Sequence, residues 1–451
     1  MNWKATLVAL TPPRWQPVWE RLDRSPLGRR LARGAFWSVL GGAISRGLGL
    51  VATILVARIL KISVFGELAM VQSTVGMFGV FAGIGLGTTA TKHVAEYRLK
   101  DPARAGRIIA LSSQVAMVMS VVMGLAMYLA APWLARATLD LPHLTDSLRI
   151  AAVLLFLSGV GGAQTGALAG LEAFQTIAAI NTITGIVSFP LLLAGTWWRG
   201  LEGSVWAMSA TAGVGCVVNH FALKREMARA GLPAVSPWDR SDLPVLWQFT
   251  VPALLATMMV GPVQWICNAM LLHQPDGRAK LGAFSGANAW FAALMFLPTL
   301  MGQSLLPMMA ERLGATGRRQ GLELLKLSMK LNALLAIPVL ILSCASPWLM
   351  GLFGHAFRGE AITLVVVLAT AALLAVQVPV GQLIIASGNI WPGLWMNVGW
   401  AIVYLVASAG LVRYGALGLA AARLLAYAAH AVWTLWYALR LLRTERDAPS
   451  S

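Results

Sequence analysis

Long apolar stretches constrain the fold of this chain more than any other feature of its sequence. The residues are 58% hydrophobic and 12% charged, which is about half the charge of an ordinary soluble protein. Stretches of roughly 20 or more apolar residues can cross a bilayer as helices, so the sequence predicts an all-α integral membrane protein. Twelve such spans, numbered 1 to 12 in chain order, are predicted at residues 35–57, 64–88, 108–131, 148–171, 176–197, 203–222, 247–271, 282–309, 322–344, 361–386, 391–411 and 416–439.

The spans form two halves that repeat about 215 residues apart. The matched pairs are Pro132-Trp133-Leu134 with Pro347-Trp348-Leu349, Ala95-Glu96 with Ala310-Glu311, Asn181 with Asn397, Arg199 with Arg413, and Gly203 with Gly418. Duplicated halves are common in secondary transporters, where the substrate site lies between them. Six spans per half let both halves enter the membrane from the same side. The repeat therefore predicts two six-helix bundles, related by a pseudo-two-fold axis along the membrane normal, that face each other across a cleft.

Proline, glycine and charge divide the chain further. The segment 230–239 has the proline and glycine content of a linker outside the bilayer. Residues 1–33 contain Pro12, Pro13 and Pro17 among basic residues and lack a long apolar core, so they do not resemble a cleaved signal peptide. The predicted divisions are a cytoplasmic amphipathic segment at 1–33, a six-helix bundle at 34–225, a cytoplasmic linker at 226–244, a second bundle at 245–443 and a cytoplasmic tail at 444–451.

The basic residues predict the orientation of the chain. Of 35 Lys and Arg residues, 24 fall at the termini and in the alternate loops of the same side, 9 fall on the other side, and 2 lie within spans. Cytoplasmic loops carry the excess of Lys and Arg, so both termini are predicted to be cytoplasmic in a multi-pass protein of the plasma membrane. The formal charge of +17 is explained by this asymmetry and by attraction to anionic membrane lipid. Nucleic acid is therefore not a predicted partner.

Two segments near the start of the chain resemble a known family. The first contains Ser45-Arg46-Gly47-Leu48-Gly49-Leu50, Val56-Ala57-Arg58-Ile59-Leu60 and Phe65-Gly66. The second contains Gly85-Leu86-Gly87-Thr88-Thr89-Ala90-Thr91-Lys92-His93-Val94-Ala95-Glu96-Tyr97 and then Ala105-Gly106-Arg107. Together with twelve spans in two halves, these segments resemble the polysaccharide transporter family. Members of this family are the flippases of O-antigen and exopolysaccharide repeat units in the multidrug/oligosaccharidyl-lipid/polysaccharide (MOP) exporter superfamily.

The resemblance implies a V-shaped transporter that works by alternating access. Its cargo would be an oligosaccharide linked to undecaprenyl diphosphate, moved from the cytoplasmic to the outer leaflet of the bacterial inner membrane. Polymerase and chain-length proteins of a polysaccharide pathway would be possible partners. Lipid II flippases share part of this text but are richer in arginine along spans 1 and 2, whereas the turn after Gly49 here offers only Ala52 and Thr53. A lipid II exporter and a cation-coupled multidrug exporter stay open as alternatives, as does a repeat-unit polymerase.

Two arginines within predicted spans are candidates for binding the diphosphate. Arg46 is 11 residues from either end of span 1, or roughly 16 Å, and arginines at such depth usually face a cavity. Gly42 and Gly49, one turn away, are expected to leave room for a bulky anion. Arg423 is about 7 residues inside span 12, so it can either face the cleft or extend to the membrane surface. A planar guanidinium suits a diphosphate because it donates several hydrogen bonds at once.

Uncharged polar residues are candidates for binding sugar. Gln264 and Asn268 are spaced i, i+4 and share one face of span 7. They are equally well explained as groups that join helices. Pro252 and Pro262 make span 7 the candidate hinge. The predicted substrate-binding set is Arg46, Arg423, Gln72, Gln264, Asn268, Asn288, Trp290 and Gln303.

Carboxylates are scarce in the predicted spans. Glu67 is expected to pair with Arg58 or Lys61, and Glu172 is expected to cap a cytoplasmic turn. A cation-coupled exporter needs a carboxylate inside its cavity, and none is an obvious candidate here. The sequence offers no catalytic triad, metal cluster or cofactor motif, and its longest loops, at about 20 residues, are short for an active-site domain. A transporter without catalytic, metal or cofactor sites is therefore predicted rather than an enzyme.

Overall fold

A computed structural model of the chain describes residues 26–233, 242–244, 254, 258–302, 305, 309, 318–387 and 390–443. Within these ranges the regular structure is helical. Seven helical runs are long and apolar enough to cross a membrane, and the bent pair Gly277–Leu294 and Phe296–Gly302 can supply an eighth. The helices are α1 (Pro26–Gly79), α2 (Gly85–Tyr97), α3 (Pro102–Trp133), α4 (Leu144–Gly170), α5 (Phe174–Arg229), α6 (Val260–Leu272), α7 (Gly277–Leu294), α8 (Arg318–Leu342), α9 (Ser346–Gly351), α10 (Ala361–Ala386), α11 (Ile390–Leu411) and α12 (Gly415–Arg443).

Two of the longest helices each contain a break that turns one run into two spans. In α1 the break is Lys61, with φ 63°. Gly49 and Gly76 line the same cavity, although 27 residues of straight helix would hold them roughly 40 Å apart, so α1 folds back on itself at Lys61. In α5 the break is at Arg199 and Gly200. The predicted count of twelve spans stays a prediction, because parts of spans 7 and 8 lie outside the described residues.

Repeated residues occupy matching places in the two halves. Arg199 lies in the turn of α5, and Arg413 lies in the turn between α11 and α12. A Cβ atom added to Gly203 would lie 1.9 Å from the carbonyl oxygen of Gly195, and one added to Gly418 would lie 1.8 Å from that of Leu411. Both glycines therefore allow two consecutive helices to pack backbone against backbone beside a turn. At these positions the repeat in the sequence is matched by a similar local structure.

Exposed tryptophans form two groups at opposite ends of the helices. One end, called the far end, carries the turns at Lys61, Arg199 and Val412–Tyr414. The other, called the terminal end, carries Tyr97 and Arg443, where α2 and α12 end. Tryptophan is enriched at both membrane–water interfaces, so the two groups mark the two membrane surfaces. Among the described residues, the exposed tryptophans are Trp133, Trp197, Trp198, Trp206 and Trp348 at or near the far end and Trp391, Trp395 and Trp436 towards the terminal end.

The two halves pack tightly at the far end. A Cβ atom added to Gly66 in α1 would lie 2.0 Å from the carbonyl oxygen of Arg278, and one added to Gly282 in α7 would lie 2.0 Å from that of Ile62. The ring centroid of Phe65 is 6.3 Å from that of Phe353 in the second half. Phe65 and Phe353 belong to one hydrophobic core that includes helices of both halves.

The expected partners of Glu67 were wrong. Its side chain is buried, and its two oxygens pair with Arg278 Nη1 of the second half at 3.0 Å and with His143 Nε2 at 3.1 Å. Arg58 instead donates from Nε to the carbonyl oxygen of Leu352 at 2.6 Å. Because Lys61 lies at the break, the chain after it turns Glu67 towards α7. Glu67 therefore joins the two halves instead of pairing within its own helical hairpin.

The terminal end is held by ion pairs within the first half and with the linker. Glu172 lies in the turn between α4 and α5 and pairs with Arg98. Asp242 is almost fully buried and accepts from Arg107 Nε at 2.9 Å, while Arg104 Nε lies 3.7 Å from its other oxygen. Asp242 of the predicted linker is therefore bound to the start of α3.

Candidate functional site

A cavity of about 490 Å³ lies between the two halves. The first half contributes both arms of α1 and part of α5, and the second contributes α6 and α7. At its far-end side the wall includes Phe65, Leu68 and Phe284. The polar residues of the wall are uncharged and are Thr53, Gln72, Ser73, Gln264, Asn268, Ser285 and Asn288. Neither a carboxylate nor a basic side chain is among the described residues of the wall.

Four of the eight predicted binding residues lie on this wall, namely Gln72, Gln264, Asn268 and Asn288. Gln264 and Asn268 share the face of α6 that the i, i+4 spacing predicts. Uncharged polar groups in apolar helices face the protein interior because the alternative is hydrocarbon. The wall thus offers amide donors and acceptors on both halves.

Some of these polar groups also join the two halves. Asn268 Nδ2 donates to Ser73 Oγ at 3.0 Å, and Trp265 Nε1 donates to the buried Thr74 Oγ1 at 3.0 Å. Both bonds connect α6 to the second arm of α1. Gln72 Nε2 lies 3.4 Å from Met208 Sδ, whereas Gln264 makes no hydrogen bond within the described residues. Helix joining therefore accounts for Asn268, whereas sugar binding by Gln264 stays a prediction.

Arg423 is the most buried charged candidate, at 4% exposure. Its Nη1 donates to Asn288 Oδ1 at 2.8 Å, while Nε and Nη2 have no hydrogen-bond partner among the described residues. The guanidinium carbon lies 5.1 Å and 4.7 Å from the ring centroids of Phe284 and Phe291. Arg423 therefore does not extend to the membrane surface. It lies behind the cavity wall, and Asn288 and Phe284 belong to that wall.

Arg46 is exposed on the first arm of α1. Its guanidinium carbon lies 5.8 Å from the ring centroid of Phe296, which follows α7 in the second half. The room expected at Gly42 is filled, because a Cβ atom there would lie 2.2 Å from the Phe296 ring, whereas Gly49 is open and lines the cavity. Arg46 is thus placed between the halves on the terminal-end side of the cavity.

The remaining predicted residues lie elsewhere. Trp290 is partly buried, and its Nε1 has no hydrogen-bond partner in the described part of the chain. Pro262 lies in the first turn of α6, where a proline costs no hydrogen bond. Pro252 and Gln303 lie outside the described residues, so the hinge and the role of Gln303 stay predictions. Within the described part of the chain, no group of three His, Cys, Asp or Glu residues could hold a metal ion.

Sequence reasoning missed two relationships. The ion pairs of Glu67 with His143 and Arg278 were not predicted, because these partners are 76 and 211 residues away and no local sequence pattern connects them. The contact between Asn288 and Arg423 escaped because each residue was considered on its own helix. The sequence did give one indication of this contact: span 12 contains Arg423 but no carboxylate, so its partner had to come from another helix.

Comparisons with known proteins agree with this architecture. The family model described as polysaccharide biosynthesis protein matches residues 31–312. The EPS I polysaccharide export inner membrane protein EpsE of Ralstonia nicotianae is 27% identical over 386 residues, covering 83% of this chain and 86% of EpsE. The lipid III flippase of Escherichia coli is 23% identical over 290 residues, covering 62% of this chain and 67% of that protein.

Solved structures share the fold. An inward-facing multidrug resistance MATE family transporter of the MOP superfamily superposes with TM-score 0.71 at 13% identity, covering 92% of this chain and all of that one. A MOP superfamily transporter from Pyrococcus furiosus, whose binding pocket is described as having reverse polarity, superposes with TM-score 0.69 at 12% identity and covers 93% of this chain and 96% of that one. With the family match over more than half of its length, this chain belongs to the polysaccharide biosynthesis protein family and has the fold of the MOP transporters.

Proposed function

We propose that this protein is a flippase for an oligosaccharide linked to undecaprenyl diphosphate, an O-antigen or exopolysaccharide repeat unit. The cargo moves from the cytoplasmic to the outer leaflet of the inner membrane as the two halves open to each side in turn. No covalent bond is made or broken in this activity. A neutral polar cavity between the halves, backed by a guanidinium, is the observation that carries the proposal.

The cavity chemistry fits an anionic glycolipid. Amides and hydroxyls on the wall can exchange hydrogen bonds with sugar hydroxyls. Arg46 and Arg423 belong to different halves and supply positive charge on the terminal-end side of the cavity and behind its wall. Guanidinium groups form strong, charge-assisted hydrogen bonds with phosphate oxygens. The printed names of the relatives, a polysaccharide export protein and a lipid III flippase, support the same class of cargo.

In the proposed orientation the terminal end is cytoplasmic. Most Lys and Arg residues belong to loops at that end, as expected for cytoplasmic loops. Reporter fusions at Lys100 and Gly231 test this proposal, and both should report a cytoplasmic position. An extracytoplasmic signal at Gly231 would contradict the arrangement of two equal halves.

The central experiment measures flipping of lipid-linked oligosaccharide in reconstituted vesicles, normalised to folded protein. We expect Arg46→Ala to abolish transport and Arg46→Lys to retain part of it, because lysine keeps the charge but cannot donate as a planar fork. Arg423→Ala should weaken transport by less, since Asn288 occupies its guanidinium in this state. Full activity of folded Arg46→Ala protein would remove the anion-binding role of Arg46.

Two other functions are separated from this one by experiment. A cation-coupled multidrug exporter is disfavoured because the described part of the cavity wall carries no carboxylate. Vesicles that accumulate organic cations in response to an ion gradient would support the exporter instead. A repeat-unit polymerase would lengthen the glycan, so purified protein that changes polymer length would contradict a purely transporting role.

A further inference from the structure

Arg423 has an incomplete set of partners for a buried charge. Among the described residues no carboxylate forms an ion pair with it, and two of its three guanidinium nitrogens donate to nothing. Burying a charge without an opposite charge is costly in a protein interior and in a membrane. Ring contacts to Phe284 and Phe291 offset part of this cost, because an aromatic face attracts a cation. The guanidinium is therefore a donor site without an anion.

Asn288 is the single described residue that accepts a hydrogen bond from this guanidinium. The same residue lines the cavity between the halves, next to Ser285. The charge of Arg423 is thus separated from the cavity by the Asn288 amide and the Phe284 ring.

We propose that Asn288 is a removable cover over an anion site whose charge is Arg423. A phosphate oxygen in the cavity replaces Asn288 Oδ1 on Nη1 and also accepts from the donors that now have no partner. The bond from Arg423 to Asn288 has a charged donor and a neutral acceptor. A phosphate group adds an opposite charge and has several acceptor oxygens for the other guanidinium nitrogens, so it displaces the amide. A neutral sugar has no such advantage, and an organic cation is repelled.

The cover makes Asn288 a specificity-determining residue. A ligand must bind the Arg423 guanidinium more strongly than Asn288 does before the charge of Arg423 contributes to ligand affinity. A neutral oligosaccharide released from its lipid would meet the amide side of the wall and leave Arg423 covered. The identity of the cargo as a lipid diphosphate rests on the proposed function, whereas the anion site rests on Arg423 and Asn288 alone.

The test uses purified full-length protein and inorganic pyrophosphate as the probe, with affinity measured by titration calorimetry. Asn288→Ala removes the competing amide, and we expect pyrophosphate to bind about five- to tenfold more tightly, the equivalent of one hydrogen bond of about 1 kcal/mol or slightly more. Asn288→Asp places a carboxylate on the guanidinium and should weaken binding by more than tenfold. Arg423→Gln should do the same.

Asn219 supplies the matched control. It is a buried amide in α5 that donates to Thr165, away from the cavity wall. Asn219→Ala and Asn219→Asp should leave pyrophosphate affinity within about twofold of wild type. Melting temperature measured on the same samples separates loss of binding from loss of folded protein.

Three results would overturn the proposal. The first is weaker binding in folded Asn288→Ala, which would make Asn288 a direct ligand contact. The second is unchanged binding in Asn288→Asp, and the third is the absence of pyrophosphate binding in both wild type and Asn288→Ala. If pyrophosphate binds in this Asn288-dependent way but vesicles do not flip lipid-linked oligosaccharide, the anion site is supported and the proposed cargo is wrong.

Discussion

Adding one methyl group at the far end should open the molecule on that side. Gly282→Ala places a Cβ atom 2.0 Å from the carbonyl oxygen of Ile62 in the other half. Real Cβ contacts lie at about 3.4 Å or more, so α1 and α7 must separate by roughly 1 Å. Both atoms are held by helical backbone, and no flexible side chain can move aside.

The added methyl group raises the free energy of the state in which the halves touch at the far end. Forcing extra volume into a packed contact costs about 1–3 kcal/mol. A state with the far end open does not contain this contact and does not carry the cost. The ratio of open to closed molecules should therefore rise by about 5- to 150-fold.

Cysteine accessibility measures this ratio directly. Gln264→Cys places a thiol on the cavity wall in a protein whose native cysteines, Cys216, Cys267 and Cys344, are replaced by alanine. A membrane-impermeant maleimide added outside whole cells should label Gln264→Cys at least about fivefold faster when Gly282→Ala is present. Gly410→Ala is the control, because a Cβ atom at Gly410 in α11 meets no heavy atom within 4 Å.

Equal labelling of folded protein with and without Gly282→Ala would refute the reasoning. It would mean that the contact between Ile62 and Gly282 is not the barrier between the cavity and the far side. Equal labelling of the Gly282→Ala and Gly410→Ala proteins, both faster than the parent, would point to a general loosening of the helices rather than to this contact.

Two further substitutions test contacts between the halves. Glu67→Gln removes the ion pair with Arg278. Because Arg278 is half exposed, the contact between the halves should lose about 1 kcal/mol, which should raise the labelling rate of Gln264→Cys about fivefold. Arg278→Gln should have a similar effect, and additive effects in the double mutant would contradict a shared interaction. Thr74→Val leaves the buried Trp265 Nε1 without an acceptor and should cost about 1–3 kcal/mol, seen as a lower melting temperature. Thr370→Val, whose hydroxyl bonds only to its own helix, should cost less, and equal losses would argue against the Trp265 bond.

Much of the fold could be predicted from local properties of the sequence. Apolar length locates the membrane helices, and the repeated Arg199 and Arg413 both lie in turns between helical segments. Polar residues on the wall, such as Gln264 and Asn268, were also predictable, since amides in apolar helices avoid lipid. Sequence and structure agree wherever the physical cause lies within one helix.

The disagreements concern contacts between helices. From its depth in span 12, Arg423 was predicted either to face the cleft or to extend to the membrane surface. The choice depends on the direction of the side chain around the helix, which is set by packing against other helices. Gly42 was expected to leave room beside Arg46, and Phe296 fills that room from a segment about 250 residues later. Glu67 finds Arg278 for the same reason. Such pairs are fixed by tertiary packing, which a single sequence does not specify.

The packed far end also has an electrical consequence. Where aromatic rings such as Phe65 and Phe353 and touching backbones exclude water, a transmembrane voltage falls over a short distance instead of across the whole bilayer. Each elementary charge moved through 100 mV gains or loses about 2.3 kcal/mol, so a diphosphate with about two charges exchanges nearly 5 kcal/mol with the field. In the proposed orientation, an interior that is negative drives this anion outward. The cargo would then gain most of this electrical free energy as it passes the far end.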